Sequence, residues 1–308
     1  MSSLLRSPEP VLLRFVNRSR AADLDRIPAP ALVIVGVSSV QLGAAIAKSL
    51  FDELTPTGLV MLRLVFGALV LGLLFRPRVR DRSSHELHLA LAFGLTLVTM
   101  NFCFYQAIDR IPLGIAVTLE FVGPLGIALL GSRRVTDLLW VSLAAAGIVL
   151  LAPGIGEDGL DAVGVAFALG AGVLWAAYIT LSVRVGRAYS GPTGLVLAMA
   201  VGAVIALPFG IASAGSALLE PELLAAALAV AVLSAALPWS LELEALRRMP
   251  AHVFGVLMSL EPAIGALVGF VVLGERLGAR AVVAIALVVI ASAGAARGAV
   301  TGLAPRDV

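Results

Sequence analysis

The stretch IPLGIAVTLEFVGP at residues 111–124 is echoed by MPAHVFGVLMSLEP at residues 249–262, and the fold follows from that echo. Ile111-Pro112 aligns with Met249-Pro250, and Pro124 with Pro262, both at an offset of 138. The same offset brings Ala107-Ile108 onto Ala245-Leu246, Arg110 onto Arg248 and Gly131 onto Gly269. Each stretch carries one acid, Glu120 and Glu261, close before its second proline. Proline removes a donor and frees the carbonyl one turn back, so an apolar run with an interior proline reads as a bent spanning helix.

Outward from these two stretches the chain stays apolar. Of 308 residues, 60% are hydrophobic and only 14% charged, where a soluble domain carries about 25% charged residues. With a mean hydropathy of +1.02, lipid is the solvent for most of the surface. Runs of roughly 20 apolar residues, the length of a spanning helix, occur at 29–51, 56–75, 88–108, 112–131, 136–153, 162–182, 192–211, 222–245, 250–272 and 278–296. The stretch 188–219 lacks charge throughout, and Pro208 with the Gly/Ser-rich 210–216 sets the exit of its helix. The expectation is an all-α membrane protein of about ten transmembrane helices.

Arginine placement orients them. With the N-terminus inside, the inner segments hold Arg6, Arg14, Arg18, Arg20 and Arg26, then Arg76, Arg78, Arg80 and Arg82, Arg133 and Arg134, Arg184 and Arg187, Arg247 and Arg248, and Arg297 and Arg306. The outer segments hold only Arg110, Arg276 and Arg280, and gather acids such as Asp52, Glu53, Asp109, Glu157, Asp158 and Glu275. Both termini are therefore expected in the cytoplasm, as tails at 1–28 and 297–308. Residues 1–28 have no clean apolar core before a cleavage site and do not read as a signal peptide. The repeated halves, 29–153 and 162–296, each hold an odd number of spans, so the second lies upside down relative to the first. Inverted repeats of this kind belong to transporters, with the substrate site near midplane at the repeat interface.

Polar groups at that depth are the candidate site. Glu120 lies about 12 Å and Glu261 about 16 Å along their helices, beside prolines, where a carboxylate can accept an amine or carry a proton. Arg63 lies about 10 Å below the start of its span, placed to hold a substrate carboxylate or to pair with Glu120 or Glu261. Lys48, the chain's only lysine, sits at the outer end of the first span near Asp52 and Glu53, where snorkelling and a local ion pair explain it as well as function does. Glu242 is one turn deeper than Glu244, which lies near Arg247 and Arg248. Gln41, Asn101, Tyr105, Trp175, Tyr178 and Trp239 complete the set, Trp175 being placed equally well in an interfacial belt. Gly36-Val37-Ser38 lacks a midplane histidine to serve as base, and His85 and His88 have the wrong spacing for a zinc-protease helix. No metal, cofactor or nucleic-acid motif is found, and a net charge of +2 points to no nucleic acid. Cys103 reads as an inert thiol.

The chain resembles the threonine/homoserine exporters of the EamA-type drug/metabolite transporter superfamily. The resemblance is carried by Ala47-Lys48-Ser49-Leu50-Phe51, Leu62-Arg63-Leu64, Ile111 to Val117, Leu119-Glu120-Phe121, Gly123-Pro124-Leu125 and Ser132-Arg133-Arg134. In the second half it is carried by Ala168 to Gly172 with Trp175 and Tyr178, Leu237-Pro238, Ser240-Leu241-Glu242, Leu257-Met258-Ser259, Glu261-Pro262-Ala263 and Leu273-Gly274-Glu275. It implies two five-helix EamA repeats, a central cavity lined by the first, third, fourth, sixth, eighth and ninth spans, and amino-acid efflux across a bacterial plasma (inner) membrane. Lys48, Arg63, Glu120, Glu242 and Glu261 match the family pattern; Trp239 departs from it. The expected mechanism is alternating access, with the substrate carboxylate near Arg63 or a helix N-terminus, the amine near Glu120 or Glu261, and proton antiport ahead of simple facilitated export. The expected partners are a small amino acid, protons and the bilayer, in a monomer or homodimer. The rival readings are export of a drug or other metabolite and, ranking lower, a membrane-embedded enzyme or scaffold, for which no nucleophile–base pair is found.

Overall fold

The computed structural model describes residues 27–77, 83–130, 135–151, 160–189, 193–249, 254 and 257–301. Most of the N-terminal tail, Arg78 to Arg82, Arg133 and Arg134, Glu157 and Asp158, Pro250 and the end of the C-terminal tail lie outside the described residues. The long elements are helices: α1 (Ala29–Ser49), the single turn α2 (Phe51–Leu54), α3 (Pro56–Phe75), α4 (Ser84–Arg110), α5 (Leu113–Glu120), α6 (Val122–Leu130), α7 (Val135–Leu151), α8 (Ala162–Ala188), α9 (Thr193–Ala214), α10 (Pro221–Ala231), α11 (Leu237–Arg248), α12 (Glu261–Leu273) and α13 (Ala279–Thr301). A 3₁₀ turn, Gly215–Leu219, follows α9, and a π-helical segment, Val232–Ala236, joins α10 to α11. Six described helical stretches are long and apolar enough to cross a bilayer: Ala29–Ser49, Pro56–Phe75, Ser84–Arg110, Ala162–Ala188, Thr193–Leu219 and Pro221–Trp239; Leu113–Ile127, Glu261–Leu273 and Ala279–Ala291 are shorter apolar ones.

The differences from the sequence expectation have local causes. The span expected to start at residue 88 begins at Ser84, because Ser83 and Glu86 form a reciprocal cap: the Ser83 hydroxyl accepts from the Glu86 amide at 3.3 Å, and Glu86 Oε2 accepts from the Ser83 amide at 2.8 Å. Such a box ties down two otherwise orphaned donors. Asp161 caps α8 in the same spirit, accepting from the Val163 and Gly164 amides at 2.6 and 3.1 Å. The exit expected around Pro208 and the Gly/Ser-rich 210–216 falls late in that stretch: α9 runs through the proline and ends at Ala214. Three further spans expected to be continuous, at 112–131, 222–245 and 250–272, are interrupted at Phe121, at Val232–Ala236 and at Ser259–Leu260. These breaks surround the functional site.

Packing runs largely between residues 27–151 and residues 160–301. α4 packs along α8, α3 along α9, α7 along α13, α5 against α12, and α1 against α11 and α12. Small residues permit the closest approaches, as expected where lipid supplies no hydrophobic drive between helices. At Gly172 of α8, an added Cβ would stand 2.7 Å from the Glu120 carbonyl oxygen. The outward face carries Leu73, Val173, Val204, Phe209 and Val271, each more than 60% exposed, which suits hydrocarbon.

Candidate functional site

Three prolines create the site. Pro124 has no N–H to offer the carbonyl four residues back, Glu120, and the helix breaks at Phe121, leaving Glu120 as the last residue of α5. Pro262 does the converse. It stands in the first turn of α12, where a missing N–H costs nothing, and Glu261 becomes the first residue of that helix. One acid thus closes a half-helix and the other opens one, with α5 packed on α12. The N-terminal end of α12 presents the positive end of its dipole to Glu261.

The third proline is Pro238. In the π segment the Leu237 amide reaches back five residues to the Val232 carbonyl, and Pro238 cannot donate at all. The carbonyls of Leu233 and Ser234 are left over, and two side chains of the N-terminal half take them: Ser39 Oγ donates to Leu233 O at 2.6 Å and Arg63 Nη2 donates to Ser234 O at 3.0 Å. A buried carbonyl without a donor costs about 1–3 kcal/mol, so both contacts hold the irregular backbone in place. Irregular backbone at membrane depth is tolerated where protein covers it in this way.

Between these breaks lies a cavity of about 560 Å³, within the roughly 300–1,000 Å³ range of small-molecule sites. Gln41, Arg63, Asn101, Tyr105, Glu120, Trp175, Tyr178, Trp239, Glu242 and Glu261 all line it. Trp175 is therefore a cavity residue, edge-on to Phe121 with centroids 5.5 Å apart, and Tyr178 stacks on Phe93 at 4.8 Å. Trp239 meets the Phe75 ring edge-on at 5.4 Å. The lining continues through Leu71, Leu125, Ile179, Leu195 and Phe254, toward the end of the bundle where α3 finishes and α9 begins. The opposite end carries Lys48 and Glu275.

Polar contacts divide the two acids Glu120 and Glu261 of the cavity. Gln41 Nε2 donates to Glu261 Oε1 at 3.1 Å, while Gln41 Oε1 and Glu261 Oε2 are closed off from solvent and have no partner among the described residues. Glu120, 8% exposed, has no hydrogen-bond or ion-pair partner among the described residues. The expected pairing of Arg63 with either acid is absent. Its guanidinium goes to Asn101 Oδ1 and the Ser234 carbonyl, and lies over the Tyr105 ring at 5.7 Å. Asn101 is held by its own amide, which donates to the Leu97 carbonyl at 2.7 Å. Both acceptors are neutral: Asn101 on α4 and the Ser234 carbonyl of the α10–α11 break each lie on an element packed against α3.

Lys48 is the candidate that stands outside the cavity. It does not pair with Asp52 or Glu53, which α2 turns outward and exposes. Its Nζ lies 2.7 Å from Glu275 Oε1 and donates to the Ile111 carbonyl at 3.0 Å. Glu275 Oε2 in turn accepts from the Leu113 amide at 2.9 Å. Sequence reading passed over Glu275 as one acid among several in an outer loop. It also passed over Ser39 and Pro238; a serine four residues ahead of a proline, Ser234-x-x-x-Pro238, was the available signal. Glu244 lies as expected with Arg248, 2.6 Å from its Nη2.

Residues 162–297 match the model of the EamA-like transporter family. The "Threonine/homoserine exporter RhtA" of Salmonella typhimurium (strain SL1344) is 46% identical over 266 residues, which is 85% of this chain and 89% of that protein. The exporter of the same name in Escherichia coli (strain K12) is 44% identical over the same shares. A solved crystal structure, 21% identical, superposes on 89% of this chain and 99% of its own with a TM-score of 0.57, which speaks for the fold. An all-helical, multi-pass membrane chain with this much sequence in common with transporters is one of them: the chain belongs to the EamA-like transporter family.

Proposed function

We propose that this protein exports small neutral amino acids of the threonine and homoserine kind from the bacterial cytoplasm across the inner membrane. The observation that carries the reading is the cavity of about 560 Å³, in which two acids sit at the broken ends of packed half-helices. Discontinuous helices meeting at midplane are how transporters present charged and backbone groups to a substrate. The names of the relatives supply the substrate class.

Alternating access between two inverted repeats, 29–153 and 162–296, with both termini cytoplasmic and about ten spans in all, is the mechanism we infer. It is supported by the pairing of helices. α3 with α9 and α7 with α13 are pairs that map onto themselves when the halves are exchanged, and α1 with α11 maps onto α4 with α8. With the N-terminus inside, the cavity reaches the cytoplasmic end, and the Lys48–Glu275 contact closes the outer end. The amino acid enters from the cytoplasm, its ammonium meets the free Glu120 carboxylate, and protons drive the exchange. A monomer contains both halves; a homodimer is compatible with the same site.

The aromatic share of the lining, Phe104, Phe121, Trp175, Tyr178, Trp239 and Phe254, favours a second reading, export of amphipathic organic cations. One experiment separates the two. Cells stripped of their own exporters and carrying this chain are loaded with radiolabelled threonine, homoserine, a panel of other amino acids and aromatic cations. Faster efflux of threonine and homoserine, lost in Glu120→Gln, supports the first reading. Efflux of the cations alone overturns it.

A further inference from the structure

We propose that Glu261 carries a proton in this conformation and shares it with the side-chain oxygen of Gln41, so that Gln41 governs when the proton leaves. The inference rests on the transport reading above and adds to it the identity of the proton-bearing acid.

The case is one of donors and acceptors. The Gln41 amide has two polar ends. Its nitrogen is used, donating to Glu261 Oε1 at 3.1 Å. Its oxygen has no partner among the described residues, and neither has Glu261 Oε2; both are sealed from solvent. Gln41 is 1% and Glu261 7% exposed. If Glu261 is ionised, the pair holds two sealed acceptors and no donor for either, the costliest way to leave buried polar atoms. One proton on Oε2 answers both deficits. The acid O–H donates to the amide oxygen while the amide N–H donates to the acid's carbonyl oxygen, giving the closed two-point pairing of a carboxylic acid with a carboxamide. Gly265 lets the amide settle against α12, since a Cβ there would stand only 3.1 Å from Gln41 Oε1.

Among the described residues no cation pairs with Glu261, and the α12 dipole is the feature on its side that favours the ionised form. Gln41 comes from α1, whose Lys48 is bonded to Glu275 at the far end. α5 brings Glu120, a second carboxyl group facing the same cavity. α13 brings Arg280, which donates to the Leu150 carbonyl. Across the cavity stand Glu242 on α11, Tyr105 on α4, Tyr178 on α8 and Arg63 on α3, whose guanidinium is engaged by Asn101 and Ser234. Three carboxyl groups against one engaged guanidinium is an excess of negative charge that a single proton relieves.

The two acids then divide the work. Glu120, without a protein partner, remains for the substrate ammonium. Glu261 holds the proton until Gln41 turns away, at which point the O–H bond at Oε2 breaks, the proton passes to water in the cavity, and the carboxylate remains.

Infrared spectroscopy of the full chain in lipid vesicles tests this. A protonated carboxyl C=O stretch that shifts in D2O is expected at neutral pH. It should vanish in Glu261→Gln, persist in Glu120→Gln, and move in Gln41→Leu, which removes the pairing partner but keeps the acid. Glu261→Asp, which keeps an acid but shortens its reach to Gln41, should retain a displaced band and guards against a folding defect in the Gln variant. A band unchanged in Glu261→Gln, or unmoved in Gln41→Leu, overturns the proposal. Either result can coincide with normal threonine efflux in the cell assay, so failure here is distinguishable from failure of the transport reading.

Discussion

Lys48 and Glu275 stand 2.7 Å apart at the end of the bundle opposite the cavity, and the backbone fixes the polarity of the pair. The ammonium also donates to the Ile111 carbonyl, and the carboxylate also accepts from the Leu113 amide. Leu113 begins the half-helix that ends at Glu120, and Glu275 follows the half-helix that begins at Glu261. The clasp therefore ties together the ends, remote from the acids, of the two elements that carry Glu120 and Glu261. Glu275→Gln should slow export several-fold by loosening the closed end. The charge-reversed pair Lys48→Glu with Glu275→Lys should be no better than the single variants, because a carboxylate would then face a carbonyl and an ammonium an amide N–H. Rescue by the reversed pair in an efflux assay would mean that only net charge matters there.

Arg63 is predicted to be irreplaceable by lysine. Its planar fork serves Asn101 Oδ1 with one nitrogen and the Ser234 carbonyl with the other, a geometry that a point-charge ammonium cannot reproduce. Arg63→Lys should lower thermal stability in detergent by more than Ser39→Ala, which leaves one buried carbonyl, that of Leu233, without its donor at about 1–3 kcal/mol. Pro238→Ala should shift the π segment toward regular α-helix, since an N–H would return to compete for the Ser234 carbonyl. Paired melting curves for the three variants check the order.

Much of this was legible beforehand, and the limits are instructive. Hydropathy located the apolar helices, because every residue of a span contributes to it, and the offset of 138 between prolines singled out the two stretches that break at Glu120 and Glu261. Depth counting singled out Gln41, Asn101 and Tyr105, which line the cavity. What it could not give was partnership. Lys48 looked to Asp52 and Glu53 because they are near in sequence, yet its partner is 227 residues away. Arg63 was assigned carboxylates because charge attracts charge, whereas the acceptors it found were the Asn101 side-chain oxygen and one carbonyl, Ser234, exposed by a proline on another helix. Periodicity also treats a spanning helix as continuous, so the π segment at Val232–Ala236 and the turn at Ser259–Leu260 carried no signal of their own.

Gly172 and Gly126 offer a matched contrast. A Cβ at Gly172 would press on the Glu120 carbonyl, the group that Pro124 leaves without its helical partner, whereas nothing lies within 4 Å of a Cβ at Gly126. Gly172→Ala should cost about 1–3 kcal/mol by overpacking and, by pushing α5 away from α8, should displace Glu120 and reduce threonine efflux. Gly126→Ala should leave both stability and efflux close to wild type. If the two alanines behave alike, the α5–α8 contact does not position Glu120.

The sharpest functional consequence concerns the two acids. If Glu120 receives the ammonium and Glu261 the proton, their glutamine variants must fail differently. Glu120→Gln removes a charge that the substrate needs, so export should drop about tenfold or more at every pH, with threonine binding weakened. Glu261→Gln removes the exchangeable proton but leaves Glu120 in the cavity. It should still bind threonine and support exchange of labelled for unlabelled substrate, while net efflux loses its response to an imposed proton gradient. The sign follows from antiport: protons entering from the outer side drive amino acid outward, so wild-type efflux should quicken as the outer medium is made more acidic than the interior, and the Glu261→Gln trace should stay flat. Vesicles preloaded with labelled threonine and diluted into buffers of different pH measure both. A Glu261→Gln protein that keeps the full gradient response would show that the proton travels by another group, with Glu242, the remaining cavity carboxyl, the next to test.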